Sequence, residues 1–418
     1  MTRTLHLTGP VLTSAGGDNW LVLPEAWIAD GEIRYTRPEG ASDVQRIDGW
    51  AVPGLVDVHA HIGLGPDGPV SHETAVEHGL TDVRAGVLLV RDAGSPIDTR
   101  WVHERRDMPR LLRAGHHIAR PKRYTRNFAI ELPSAGDLPE AIAEQARFGD
   151  GWVKIVADWI DRETGVLGPL WPDDVLVDAV AAAHENGARV TAHSFCREAV
   201  DGLLDAGIDC IEHGTGMDAD HIDEAARRSV AVTPTMIQID RFDEFARRGE
   251  ARFPDYSAQM RRMHARRDEQ FHAFVDAGLT ILPGSDAGGE LPHGLAPKEL
   301  ARWVAAGMAP SDALFRGTIS ARRYLASPPV ERGGKRSQSV PSVERRAQPG
   351  VETPSRDGFD STRRTRSAQP TEIAAGEIGW LRDGDPADLV VYPDDPREDI
   401  ATLASPSSIV LRGQRFVG

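Results

Sequence analysis

The sequence predicts an α/β fold: a (β/α)8 TIM-like barrel with a small β-sandwich domain formed by both chain ends. Three observations predict it. Apolar runs of strand length recur between Leu55 and Leu282 and alternate with helical patterns. The helical patterns end in glycine, as at Asn186-Gly187, Ala206-Gly207 and Asp276-Ala277-Gly278. Both ends of the chain instead read as short strands broken by turns.

At the N-terminal end, Leu5-His6-Leu7, Trp20-Leu21-Val22-Leu23, Ala26-Trp27-Ile28-Ala29 and Glu32-Ile33-Arg34-Tyr35 are separated by Gly, Asp and Pro. From Pro53 the rhythm changes to strand, loop and amphipathic helix. The expected barrel strands are Leu55–Val58, Val87–Val90, Leu111–Ile118, Trp152–Val156, Arg189–Ala192, Cys210–Ile211, Val230–Val232 and Leu279–Leu282. Helices such as Pro172–Asn186 and Arg197–Ala206 lie between them. Eight strands in that alternation favour a parallel barrel over an open sheet.

Residues 326–371 break the pattern with Pro, Ser and Arg and a lone aromatic, Phe359. Such a segment buries too little apolar surface to offset its ordering entropy, so it reads as a disordered insertion. Gly376–Trp380, Asp388–Tyr392 and Ile409–Val417 return to strand-like patterns. The expected units are therefore 1–53 with 372–418 as the composite sandwich, 54–325 as the barrel, and 326–371 as the insertion.

An apolar fraction of 40% over 418 residues is ample for a core. Two Cys exclude a disulfide framework and a Cys-built zinc site, and Cys196 and Cys210 read as free thiols. A net charge of −15 argues against a nucleic-acid partner or a polybasic membrane patch. There is no signal-like start and no apolar stretch of about 18 residues. The expectation is a cytoplasmic protein acting on a small-molecule substrate, with homo-oligomerisation left open.

The 15 His are what composition leaves to explain. Val52-Pro53-Gly54-Leu55-Val56-Asp57-Val58-His59-Ala60-His61 closes the first barrel strand with a His-x-His. Residues at i and i+2 point to one face, so both imidazoles can converge on one metal. Lys154 stands mid-strand in Trp152-Val153-Lys154-Ile155-Val156, where a Lys is almost never buried without a partner. Two readings are open: an ion pair with a carboxylate such as Asp158, or a CO2-derived carbamate presented to two metals. His193 closes Thr191-Ala192-His193, and His213 closes Ile211-Glu212-His213-Gly214. Asp286 lies in Pro283-Gly284-Ser285-Asp286-Ala287-Gly288. These residues sit at or near the C-terminal ends of the first, fourth, fifth, sixth and eighth strands, the face where barrel enzymes build their sites.

The constellation resembles the amidohydrolase superfamily, and within it the binuclear-metal branch of prolidase-like dipeptidases and imidazolonepropionase-like proteins. The resemblance spans Pro53–Leu325 and the tail around Gly384-Asp385-Pro386-Ala387-Asp388. It implies two divalent metal ions, most often Zn2+. His59, His61 and Asp286 would hold the more buried ion and His193 and His213 the more exposed one, with carboxylated Lys154 bridging them. It also implies metal-dependent hydrolysis of an amide (C–N) bond by a metal-bridged hydroxide, on a dipeptide or N-acyl amino acid, with Asp286 as the catalytic acid–base.

Two departures affect recognition. Arg120-Pro121-Lys122-Arg123-Tyr124-Thr125-Arg126-Asn127 replaces the Gly-Gly-His stretch of prolidase-like members, and Phe195 stands where they carry a Tyr. Tyr124, Arg120 and His293 are the candidate substrate-binding residues. Hydrolysis of a cyclic amide or imidazolone-type ring is the alternative. Deamination is disfavoured, because neither His193-Ser194-Phe195-Cys196 nor His213-Gly214-Thr215-Gly216 supplies the Glu of a His-x-x-Glu element. A non-catalytic scaffold would lack ligands, and all six candidate ligands are present. Arg91-Asp92-Ala93-Gly94 is expected to be structural, His78 and His221 to face solvent, and His117 to have no role.

Overall fold

The computed structural model describes residues 4–327 and 378–416. Two parallel sheets carry the core. One orders the strands Arg110–Arg113, Val87–Asp92 and Leu55–Ala60. The other runs Ile130–Glu131, Ile118–Ala119, Trp152–Val156, Arg189–Ser194, Cys210–His213 and Ala231–Thr233. Parallel bridges pair Ile281 with Val232 and Ala287 with Ala60, so the segment that follows spans from the last strand back to the first. The arrangement is a TIM-barrel-like α/β fold.

Two expected strands differ. Leu111–Ile118 divides into Arg110–Arg113, which pairs with the second strand, and Ile118–Ala119, which pairs with the fourth. Gly115 turns between them at φ 74°, where a Cβ would stand 2.6 Å from Gln145 Oε1. Leu279–Leu282 forms only the bridge at Ile281. Pro283, which has no N–H for a ladder, stops it there. The helices behave as their end signals predict. One runs Asp173–Glu185 after Pro172, and Gly187 turns at φ 74°; another runs Val200–Ala206 before Gly207 at φ 81°.

The core lies between strands and helices, where Leu55, Val90, Ile155 and Val190 pack in one buried cluster with Leu203, Phe274 and Trp303. The chain ends pair directly. Leu389–Tyr392 runs antiparallel to Trp50–Pro53, in a six-stranded sheet that also holds Ser408–Leu411, Gln414–Arg415, Val11–Thr13 and Leu21–Leu23. A four-stranded sheet orders Glu32–Arg34, Ala26–Ala29, Thr4–Leu7 and Val44–Ile47. Leu5, Ile28 and Ile33 of the latter share an apolar cluster with Val11, Leu389 and Val391 of the former. Ile378–Trp380 forms no strand, and residues 328–371 of the expected insertion lie outside the described residues. No helix among the described residues is long and apolar enough to cross a membrane.

Candidate metal centre and substrate cavity

The first strand delivers two imidazoles. His59 lies on it and His61 just beyond its end, both buried, with ring centroids 5.2 Å apart. Asp286 meets them: its Oδ1 is 3.1 Å from His59 Nε2 and 3.3 Å from His61 Nε2. Buried Asp57 fastens the two segments, accepting the Ser285 hydroxyl at 2.5 Å and the backbone N–H of Ser285 and His59 at 3.1 Å each. Glycine permits the approach. A Cβ on Gly284 would stand 2.7 Å from that of His59, and one on Gly288 would stand 2.9 Å from that of His61. Asp286 itself has φ 56°, a left-handed conformation that Asp adopts more readily than most residues.

His213 directly follows Glu212, so strand alternation would point the two side chains to opposite faces. A left-handed turn at His213, φ 66°, brings its ring to 5.2 Å from His59 and 4.8 Å from His193. Its Nδ1 is 2.7 Å from Thr235 Oγ1, and its Nε2 is 3.0 Å from His193 Nδ1. One donor atom from each of His59, His213 and Asp286 lies within 4.8 Å of the others. Lys154 is fully buried, with Nζ 3.3 Å from His59 Nε2. Its expected alternative partner, Asp158, is engaged elsewhere, accepting the backbone N–H of Phe195 at 2.8 Å and of Cys196 at 3.1 Å. The fold thus brings His59, His61, Lys154, His193, His213 and Asp286 together.

Burial, followed by the neighbouring His213, holds His193 well below the usual imidazole range, and burial takes His213 down to about 3. Burial also lowers His61 and pulls the Lys154 ammonium down to about 8. Burial opposes the charge on Asp286, but His59 and His61 beside it hold its carboxyl well below the carboxylate range. At His59 burial and Lys154 oppose protonation, but Asp286 and Glu212 outweigh them and raise it above the usual imidazole value. The cluster therefore offers neutral imidazoles at His61, His193 and His213, an ionised carboxylate and an amine that gives up its proton more readily than a free lysine. Nε2 of His193 is buried with no hydrogen-bond partner among the described residues, and Nε2 of His61 meets only Asp286 Oδ1, at 3.3 Å. Such lone pairs are costly to leave unused, by about 1–3 kcal/mol each, and they are the donors a divalent cation takes. The donor set fits a metal.

Sequence reasoning gave no role to Glu212. It is fully buried, with Oε2 2.8 Å from His59 Nδ1, and it pairs with the Arg91 guanidinium and the Thr191 hydroxyl. Arg91 in turn donates to Val58 O at 2.7 Å and lies 4.4 Å over the Trp152 ring. The signal was present: a Glu inside a short apolar strand demands a buried cation, and Arg91 stands inside the apolar second strand, Val87–Asp92. His117 was also missed. Its ring is buried 5.7 Å from His61 and 4.7 Å from Tyr124, just past the split in the third strand that the sequence did not reveal.

Beside the cluster opens a cavity of about 250 Å³, reached by His61, His193 and Asp286 and walled by Tyr124, Phe128, Trp159, Phe195, Phe245 and Tyr256. The Phe195 ring packs against that of His193 at a tilt of 59°, with centroids 4.2 Å apart. Of the three candidate substrate-binding residues, only Tyr124 lines this cavity. Arg120 lines a separate hollow with Arg123 and donates to Leu132 O at 3.0 Å. His293 turns to helix His72–Arg84, where its Nδ1 is 2.9 Å from Asp82 Oδ2 and its ring stacks 4.3 Å from half-buried His78. His221, expected at the surface, is buried in a capping box with Asp218. Both Cys are free and buried.

A family model described as the amidohydrolase family matches residues 50–328. The chain belongs to the amidohydrolase family. Hydrolysis of carbon–nitrogen bonds is the chemistry of this family, which generally uses divalent metals. A relative of this amidohydrolase, the uncharacterised Mycobacterium tuberculosis protein Rv2915c, is 40% identical over 392 residues, 94% of this chain and 92% of its own. Among solved structures, an Xaa-Pro dipeptidase with methionine bound in its active site superposes with a TM-score of 0.74 at 19% identity, covering 99% of this chain and all of its own. Ochratoxinase from A. niger superposes with a TM-score of 0.72 at 16% identity, covering 100% of this chain and 96% of its own. At those identities the likeness is one of fold.

Proposed function

We propose that this amidohydrolase is a metal-dependent enzyme that cleaves the amide bond of a dipeptide or N-acyl amino acid. The observation that carries the reading is the convergence of the His59, His213 and Asp286 donor atoms beside the aromatic cavity. His59, His61 and Asp286 would hold one divalent ion, most readily zinc, and His193 and His213 a second. Lys154, its amine carboxylated by uptake of CO2 with loss of a proton, would supply a shared anionic ligand. The lowered ammonium pKa, about 8, favours that uptake, because only the neutral amine reacts. Bound metal supplies an acidified water and polarises the scissile carbonyl. Asp286 accepts a proton as the bond forms and returns it to the leaving nitrogen, a base becoming an acid. The aromatic wall excludes water from the reacting bond.

The same reading assigns residues 1–53 and 372–418 to one small β-sandwich, supported by the apolar cluster that the sheets of the described residues share, and residues 54–325 to a (β/α)8 barrel. Metal analysis of protein purified without chelator tests the site. About two zinc per chain are expected, with most lost from Lys154→Ala, together with turnover in a screen of dipeptides and N-acyl amino acids. A metal-free, inactive native protein would overturn the proposal.

A further inference from the structure

The cavity beside the metal-ligand cluster holds one guanidinium and no Lys among the described residues that line it, and that guanidinium is Arg241. It precedes helix Phe242–Gly249, and its guanidinium lies 5.1 Å over the Phe245 ring. Arg241 is paired with Glu290, which also lines the cavity, and lies 3.5 Å from Glu244. Glu290 has a second cation. Arg248, outside the lining, donates to its two oxygens at 2.8 and 3.1 Å. Glu290 is 47% exposed, so its ion pair with Arg241 is a weak one. An arriving carboxylate can take Arg241 while Glu290 keeps Arg248, and no charge is left unpaired. Three residues before Arg241, Gln238 also lines the cavity, and its buried Oε1 has no hydrogen-bond partner among the described residues. That oxygen is an acceptor for a substrate N–H.

We propose that this cavity selects an amino-acid derivative with a free carboxylate and an aromatic or bulky apolar side chain, and that Arg241 receives the carboxylate. The inference rests on the amide-hydrolase reading of the same site and names its substrate class. Arg241 offers the planar fork that matches a carboxylate, Gln238 Oε1 takes the neighbouring N–H, and the rings of Trp159, Phe195 and Tyr256 take the side chain. Phe195 lacks a hydroxyl and gives the anion no donor, whereas Arg241 is the one guanidinium in the lining among the described residues.

Calorimetry with two ligands that cannot be hydrolysed, 3-phenylpropanoate and 3-phenylpropanol, tests this on the zinc-loaded protein. The acid is expected to bind at least about tenfold tighter than the alcohol, a preference lost in Arg241→Gln and kept in Arg248→Gln. Equal binding of the two ligands, or an acid preference that survives Arg241→Gln, overturns the assignment, since a carboxylate held by metal alone would not respond to Arg241. Failure of the hydrolase reading shows separately, as no turnover of N-acetyl-L-phenylalanine by zinc-loaded protein that still displays the Arg241-dependent preference.

Discussion

Glu212 Oε2 lies 2.8 Å from Nδ1 of His59, and that contact leaves the opposite ring nitrogen, Nε2, facing Asp286 and Lys154. A buried carboxylate behind a ligating imidazole fixes its tautomer and ring orientation. Glu212→Gln is therefore expected to weaken zinc affinity by about 10–100-fold, read by competition with a chromogenic chelator. Glu212→Ala should also destabilise the fold by about 3–5 kcal/mol in urea denaturation, because Arg91 would remain buried without its counter-ion. Unchanged zinc affinity in Glu212→Gln would refute the positioning role.

Asp286→Asn should lose about 10²–10⁴-fold in turnover while staying folded. Asn tolerates the left-handed backbone at this position, φ 56°, but it can neither accept nor return the proton. The paired measurements are kcat on an N-acyl amino acid and the denaturation midpoint. A midpoint that falls with the activity would assign Asp286 a structural role instead.

Gly288→Ala tests the close approach at the first strand. Its φ is 112°, and a Cβ would meet that of His61 at 2.9 Å. The variant should lose upwards of about 1 kcal/mol of stability and bind zinc more weakly than the parent. Full zinc occupancy at wild-type affinity would show that His61 is free to move aside.

Glu299 carries a pH signature away from the cluster. Its buried carboxyl accepts the backbone N–H of Met236 at 2.7 Å and of Ile237 at 3.0 Å, and Trp303 Nε1 at 2.8 Å. Burial pushes it from 4.5 up to about 7. The folded state thus holds this proton more tightly than the unfolded chain. The contribution is complete below about 4.5 and is lost as pH rises through about 7. The stability difference between wild type and Glu299→Gln should shrink across that window by up to about 3 kcal/mol in urea denaturation. A flat difference would contradict the shift.

The amidohydrolase pattern was legible because it is local. His59 and His61 sit two apart at a strand end, and helix stops such as Asn186-Gly187 and Ala206-Gly207 punctuate the elements that carry Lys154, His193 and His213. Period, caps and turn chemistry act over a few residues, so one sequence suffices to expect the six side chains at or near one end of the first, fourth, fifth, sixth and eighth strands. Tertiary structure decided their partners. Lys154 meets His59 rather than Asp158, and Glu212 supports His59 from a strand 150 residues later. Arg120 and His293, both plausible from their loops, turn to Leu132 and Asp82, while Arg241 and Gln238 reach the cavity instead. The physical reason is that a buried charge or orphan nitrogen is settled by whichever group the packing brings within about 3 Å. That proximity is a property of the closed fold, and no spacing along the chain encodes it.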